Sequence, residues 1–269
     1  MNGTHHAAGV SLGWTLALSA LLLLYTAGFR RLPKSEPAAV SGWRFLGFLL
    51  GLLSLWAALA SPLSQLDHQR LLAHMLQHLW VMNVAAPLLL LAEPLRVAAL
   101  APGFLPRGTG WLRPVLRPLT HPAVCWLSGI SVVLLFHLPA VLQLTLASPY
   151  WHAAEHASFL VAGLLFWWPV VLPWPGTARW PRFSLLLYLF LATLPCDALS
   201  AFLAFSGRVV YPHYLEGPHA SGAVALADQQ AAGALMWGFV TLAYLVAAVA
   251  IALEHLLPRS AAGRGVAAG

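Results

Sequence analysis

Charged residues are scarce in this sequence: Asp, Glu, Lys and Arg make up 8% of 269 residues, against about a quarter in an ordinary soluble domain. That scarcity excludes a soluble globular fold. Cysteine is rarer still, with Cys125 and Cys196 alone. They fall at different depths of two apolar stretches, roughly 10 Å apart at a rise of ~1.5 Å per residue, too far for a disulfide. Both read as packing residues, and Cys196 is also a conceivable soft ligand. Long polar segments are missing too: no connection exceeds about 20–30 residues, which leaves no room for an appended soluble domain. No Lys or Arg precedes the first apolar stretch, whereas Arg30 and Arg31 follow it. A secretory signal has the reverse polarity, so this stretch reads as a retained helix.

What the chain has is apolar length. Residues of the AVILMFWYC set make up 60% of it, and the mean hydropathy is +0.76. Seven stretches are each long enough for a hydrocarbon core of roughly 30 Å. They are Ser11–Phe29, Gly42–Ala60, Leu71–Ala92, Pro122–Leu142, Trp151–Leu172, Phe183–Phe205 and Gln229–His255. The expectation is an all-α integral membrane bundle of seven transmembrane helices. It forms one domain over residues 1–258, followed by a disordered Ala/Gly-rich tail over 259–269. Gly47 and Gly51 form a GxxxG face that suits close helix packing inside the bundle. The aromatic and proline run from Phe166 to Gly176 marks the end of the fifth helix.

Threading the chain through these stretches sorts its charges. Twelve of the fourteen basic residues fall on one side, and only Arg70 and Arg208 on the other. Basic residues favour the cytoplasmic side, so the N-terminus is expected outside and the C-terminus in the cytoplasm. The net charge of +6 follows from this orientation and gives no reason to invoke nucleic acid. The same threading puts ten of the twelve histidines on the outer side: His5, His6, His68, His74, His78, His137, His152, His156, His213 and His219. His121 and His255 fall on the inner side.

Two histidine pairs stand out. His74/His78 and His152/His156 are each spaced i, i+4, so each pair shares one helix face. Both pairs come to a similar depth, roughly 3–12 Å below the outer surface. Imidazole is the commonest metal ligand, and a membrane protein that gathers it at one end points to metal handling there. Met75 and Met82 lie on the same arc as His74 and His78, and the chain has only four methionines including the initiator. Imidazole with thioether suits copper, Cu(I) above all, with zinc as the alternative. Asp228 at the outer end of the seventh helix is a further candidate ligand, although an N-cap role would also explain it. Asp197, Glu155, Asp67 and His68 are candidates for the outer partners that orient ligand histidines. A carboxylate such as Asp197 inside a membrane helix is costly enough to mark a site or a paired partner.

These residues bring a resemblance into view. The segments His74-Met-Leu-Gln-His78 running into Asn83-Val-Ala-Ala-Pro, Glu155-His156 with Leu165-Phe-Trp-Trp-Pro169, Tyr211-Pro-His-Tyr214, and Ala227-Asp-Gln-Gln230 with Met236-Trp237 resemble the CtaG family. This is the seven-helix family of cytochrome c oxidase assembly factors of bacterial plasma membranes, distinct from a single-span copper chaperone that shares the name. The resemblance covers about residues 60 to 250. It implies a non-enzymatic role in making a haem-copper oxidase, with copper delivered to an oxidase subunit and received from a periplasmic copper chaperone. It supplies no ligand set.

The residues leave other classes open. His152-Ala-Ala-Glu155-His156 fits the H-x-x-E-H zinc peptidase pattern, although it lies at a membrane helix end. Four histidines on facing helices could instead ligate haem in an electron carrier, yet i, i+4 pairs suit a compact ion better. A copper channel would need ligands through the cytoplasmic half, where His121 and His255 stand isolated.

Overall fold

The computed structural model describes residues 2–32, 41–61, 66–101, 112–175, 180–216 and 221–256. The tail over 259–269, His219, Lys34, Arg107, Arg179, Arg259 and Arg264 lie outside the described residues, as do the side chains of His5, His6, Arg113, Arg182 and His255. Among the described residues every regular element is helical. The helices are α1 (Asn2–Arg30), α2 (Gly42–Leu59), α3 (Leu71–Trp80), α4 (Ala86–Leu91), α5 (Pro94–Leu100), α6 (Leu112–Leu119), α7 (Pro122–Phe136), α8 (Pro139–Ala147), α9 (Pro149–Val171), α10 (Arg182–Phe205) and α11 (Gly222–Leu256). Among the described residues six helical spans are long and apolar enough to cross a membrane, or seven with the bent pair α7–α8 counted as one span. Leu23 is 71% exposed and Leu242 62%, the outward apolar surface that a lipid-facing bundle presents.

The fourth expected span, Pro122–Leu142, is not one straight helix. It breaks at His137 and Leu138, and α8 turns 76° from α7. The cause is Pro139, which has no N–H to donate back into α7 and forces the preceding residue out of the helical region. Leu138 accordingly adopts an extended conformation, with φ −68° and ψ 127°. The break leaves His137 at the end of α7, turned toward the bundle.

The third span is interrupted more gently. Between α3 and α4 the backbone widens into a π-helical turn over Val81–Ala85, where the N–H of Ala86 reaches back to the carbonyl of Val81. Pro87 follows directly and cannot donate to the carbonyl four residues before it, so the extra residue absorbs a mismatch that a regular helix could not. α9 presses against this turn through Gly163, where a Cβ would stand 2.9 Å from the carbonyl oxygen of Met82. Gly51 gives α2 the same intimacy with α4, since its missing Cβ would stand 2.9 Å from Leu89 Cδ2. The GxxxG face therefore packs within the bundle. At the end of the molecule remote from the paired histidines, Arg44 Nη1 meets Glu93 Oε2 at 2.6 Å and Tyr25 donates to the carbonyl of Ala92, tying α1, α2 and the end of α4 together.

Candidate metal centre

The centre starts on α3. One helical turn brings His74 and His78 together with their rings edge to face and their Nε2 atoms 2.8 Å apart. Glu155 on α9 completes the group: its Oε1 lies 3.4 Å from His74 Nε2 and 3.3 Å from His78 Nε2. Metal–ligand bonds of about 2.0 Å place all three atoms around one ion, with an angle of roughly 90° between the two nitrogens. Glu155 is fully buried, and among the described residues neither of its oxygens makes a well-directed hydrogen bond. Imidazole N–H groups can link these atoms only in pairs, whereas with both Nε2 atoms unprotonated the three lone pairs converge where one cation can engage them together. The residues therefore fit a metal.

A second group lies beside the first. His152 Nε2 is 3.3 Å from Asp67 Oδ2 and 4.0 Å from Glu155 Oε2, so His152 stands between the two carboxylates. Asp67 Oδ1 accepts from the backbone N–H of His68 at 2.6 Å, and His68 Nε2 is 3.8 Å from the same oxygen. Burial holds the Asp67 carboxyl above the usual carboxylate range, opposed by the imidazoles of His68 and His74. The side chain of His68 is 44% exposed, that of His152 12% and that of Glu155 0%. The donor atoms thus form a staircase from the surface into the bundle.

His156 behaves differently from its i, i+4 partner. Its Nδ1 donates to the carbonyl of His152 at 2.9 Å, and its ring lies 5.2 Å from that of His78. Its Nε2 is buried without a hydrogen-bond partner. It falls in neither of the two three-residue groups, Asp67/His68/His152 and His74/His78/Glu155, whose donor atoms each lie within 4.8 Å of one another.

The segment after α10 covers this end. Tyr214 donates to the carbonyl of Asp67 at 3.1 Å and Tyr211 to that of His137 at 3.0 Å. α11 pins the cover in place: Gln229 accepts from the N–H of Val210 and donates to the carbonyl of Arg208, and Gln230 donates to the carbonyl of Ser206. Asp228 Oδ2 accepts the N–H of Leu72, capping the start of α3. The Asp-Gln-Gln motif is thereby seen holding the lid and the ligand helix, and Asp228 lies outside both groups.

The remaining sequence candidates fall outside both groups. Met75 turns toward His137, whose Nε2 is 3.2 Å from its sulfur, while Met82 lies further along the π-helical turn. Asp197 is half-buried on α10 with Oδ1 lacking a hydrogen-bond partner, and it joins neither group. Sequence reasoning placed Glu155 beside the ligands, whereas the fold brings it to ligand distance. It also left His137 and the two tyrosines without a role. Pro139 is the signal that could have exposed His137, because proline in mid-span marks a break.

The model of the family described as cytochrome c oxidase caa3 assembly factor (Caa3_CtaG) matches residues 23–256, a range that takes in the whole centre and its cover. No curated protein and no solved structure matches the chain.

Proposed function

The chain belongs to the family of cytochrome c oxidase caa3 assembly factors, and from that premise we propose that it holds copper at the His74/His78/Glu155 centre and passes it to a subunit of a haem-copper oxidase. The bundle sits in the bacterial plasma membrane with the histidine end outside, where a periplasmic copper chaperone can load it. The observation that carries this reading is the buried Glu155 carboxylate, which among the described residues has no polar partner closer than the two imidazole nitrogens at 3.3 and 3.4 Å. Asp67, His68 and His152 provide the way in. Ligands graded from exposed to buried let an ion exchange stepwise, each donor releasing as the next engages. Two imidazoles and one carboxylate suit Cu(II) or zinc, so zinc is the second reading.

The zinc peptidase reading has less support in the geometry. It requires His152 and His156 on one ion with Glu155 free to act as base, whereas His152 turns to Asp67 and Glu155 faces His74 and His78.

The test is oxidase loading in cells that carry His74→Ala/His78→Ala in place of the wild-type protein. The proposal expects oxidase with haem but deficient in copper, restored by the wild-type gene. Full copper occupancy in the oxidase of the variant strain would refute delivery through this centre.

A further inference from the structure

Sulfur is rare in this chain, and four of its six sulfur-bearing residues meet in one place. Met75, Met82 and Met236, which are all the methionines apart from the initiator, line a single cavity with Cys196, His78 and His137. The three methionines and Cys196 are each buried to 4% exposure or less. The cavity measures about 20 Å³, room for about one water-sized sphere. Its other walls are Leu79, Val133, Phe159, Val240 and Tyr244, with Asn83 as one further polar side chain.

Methionine fills gaps in cores, and there its sulfur stands about 5 Å from an aromatic ring. Met75 does something else. Its sulfur lies 3.2 Å from His137 Nε2. The other ring nitrogen, Nδ1, is 2.6 Å from the carbonyl oxygen of Val133. A carbonyl only accepts, so Nδ1 carries the ring proton. In the neutral ring Nε2 is then a bare lone pair, facing a thioether lone pair with no proton between them. Two such donors relieve their repulsion by sharing a cation. With bonds of roughly 2.0 Å to nitrogen and 2.3 Å to sulfur, a separation of 3.2 Å subtends roughly 95° at a common ion.

We infer that this cavity is a second metal site, built for a soft monovalent cation of the Cu(I) class, with His137 and Met75 as its anchoring ligands and Met82 and Met236 as the thioethers that complete it. The donor type decides the class. Neutral thioethers with one imidazole add no charge, so a monovalent soft ion is held where a divalent hard ion would keep its water instead. The break before Pro139 sets the site, because it turns His137 inward at the end of α7. Met75 and His78 line both this cavity and the wall of the histidine–carboxylate centre, so the two sites are contiguous. The inference does not depend on the proposed loading of that centre.

The experiment uses the full-length protein in detergent, titrated anaerobically with Cu(I) against a chromophoric Cu(I) chelator, with X-ray absorption at the copper edge. Wild type should bind Cu(I) with sulfur neighbours at roughly 2.3 Å. Met75→Leu/Met82→Leu/Met236→Leu conserves volume and should lower the sulfur count and weaken Cu(I) binding at least tenfold. Glu155→Gln, which alters the proposed donor centre but no residue that lines this cavity, should keep the sulfur signal, and that separates the two sites. Only nitrogen and oxygen neighbours in wild type would overturn the inference, even if the triple variant failed to fold. An unchanged sulfur count in a folded triple variant would overturn it equally.

Discussion

Asp228 and Glu155 show how two acidic residues of similar appearance take different work. A carboxylate inside a membrane-spanning helix costs a few kcal/mol unless something offsets it. Glu155, fully buried on α9, faces two imidazole nitrogens and among the described residues makes no well-directed hydrogen bond. Asp228 meets a backbone N–H at the start of the ligand helix, and that contact accounts for its place. Replacing Asp228 by Ala should therefore cost about 0.5–2 kcal/mol, the usual loss for a cap. In a chain of this size that lowers Tm by roughly 2–4 °C per kcal/mol. Metal content should stay unchanged. Thermal unfolding beside elemental analysis of the same preparation checks both, and lost metal in a stable variant would make Asp228 a ligand.

At the scale of elements, the centre depends on how closely α9 approaches the third span. Gly163 permits that approach, since a Cβ there would meet the Met82 carbonyl at 2.9 Å and the Ala86 Cβ at 3.0 Å. Glycine to alanine in a helix gains about 1 kcal/mol of propensity, while overpacking costs about 1–3 kcal/mol. Both obstacles at Gly163 belong to a neighbouring helix that cannot swing aside, so overpacking wins. Gly163→Ala should lower Tm, whereas Gly13→Ala, with nothing near its Cβ, should not. Equal effects in the two variants would show that α9 has slack against the π-helical turn. The elements also explain what a sequence can disclose. The pairing of His74 with His78 is local and follows from helical period alone. The reach of Glu155 to that pair, of His152 to Asp67, and of His137 to Met75 each crosses between elements. The last depends on a 76° bend whose angle no periodicity encodes, although Pro139 announces that a bend exists.

For the whole molecule, apolar length and the scarcity of charge made the membrane bundle legible, and the broken fourth span is where the structure departs most from seven straight rods. The family motifs were legible as residues but not as roles. Tyr211 and Tyr214 prove to belong to a cover over the histidine end, pinned there by Gln229 and Gln230. The central claim is that this end holds a metal through His74, His78 and Glu155. The most direct measurement is elemental mass spectrometry of protein purified from copper-replete cells, beside His74→Ala/His78→Ala and Glu155→Gln. The account predicts copper bound in wild type and at least tenfold less retained at this centre in both variants after dialysis against a moderate chelator. A wild-type protein without metal, or variants that keep their metal in full, would contradict it.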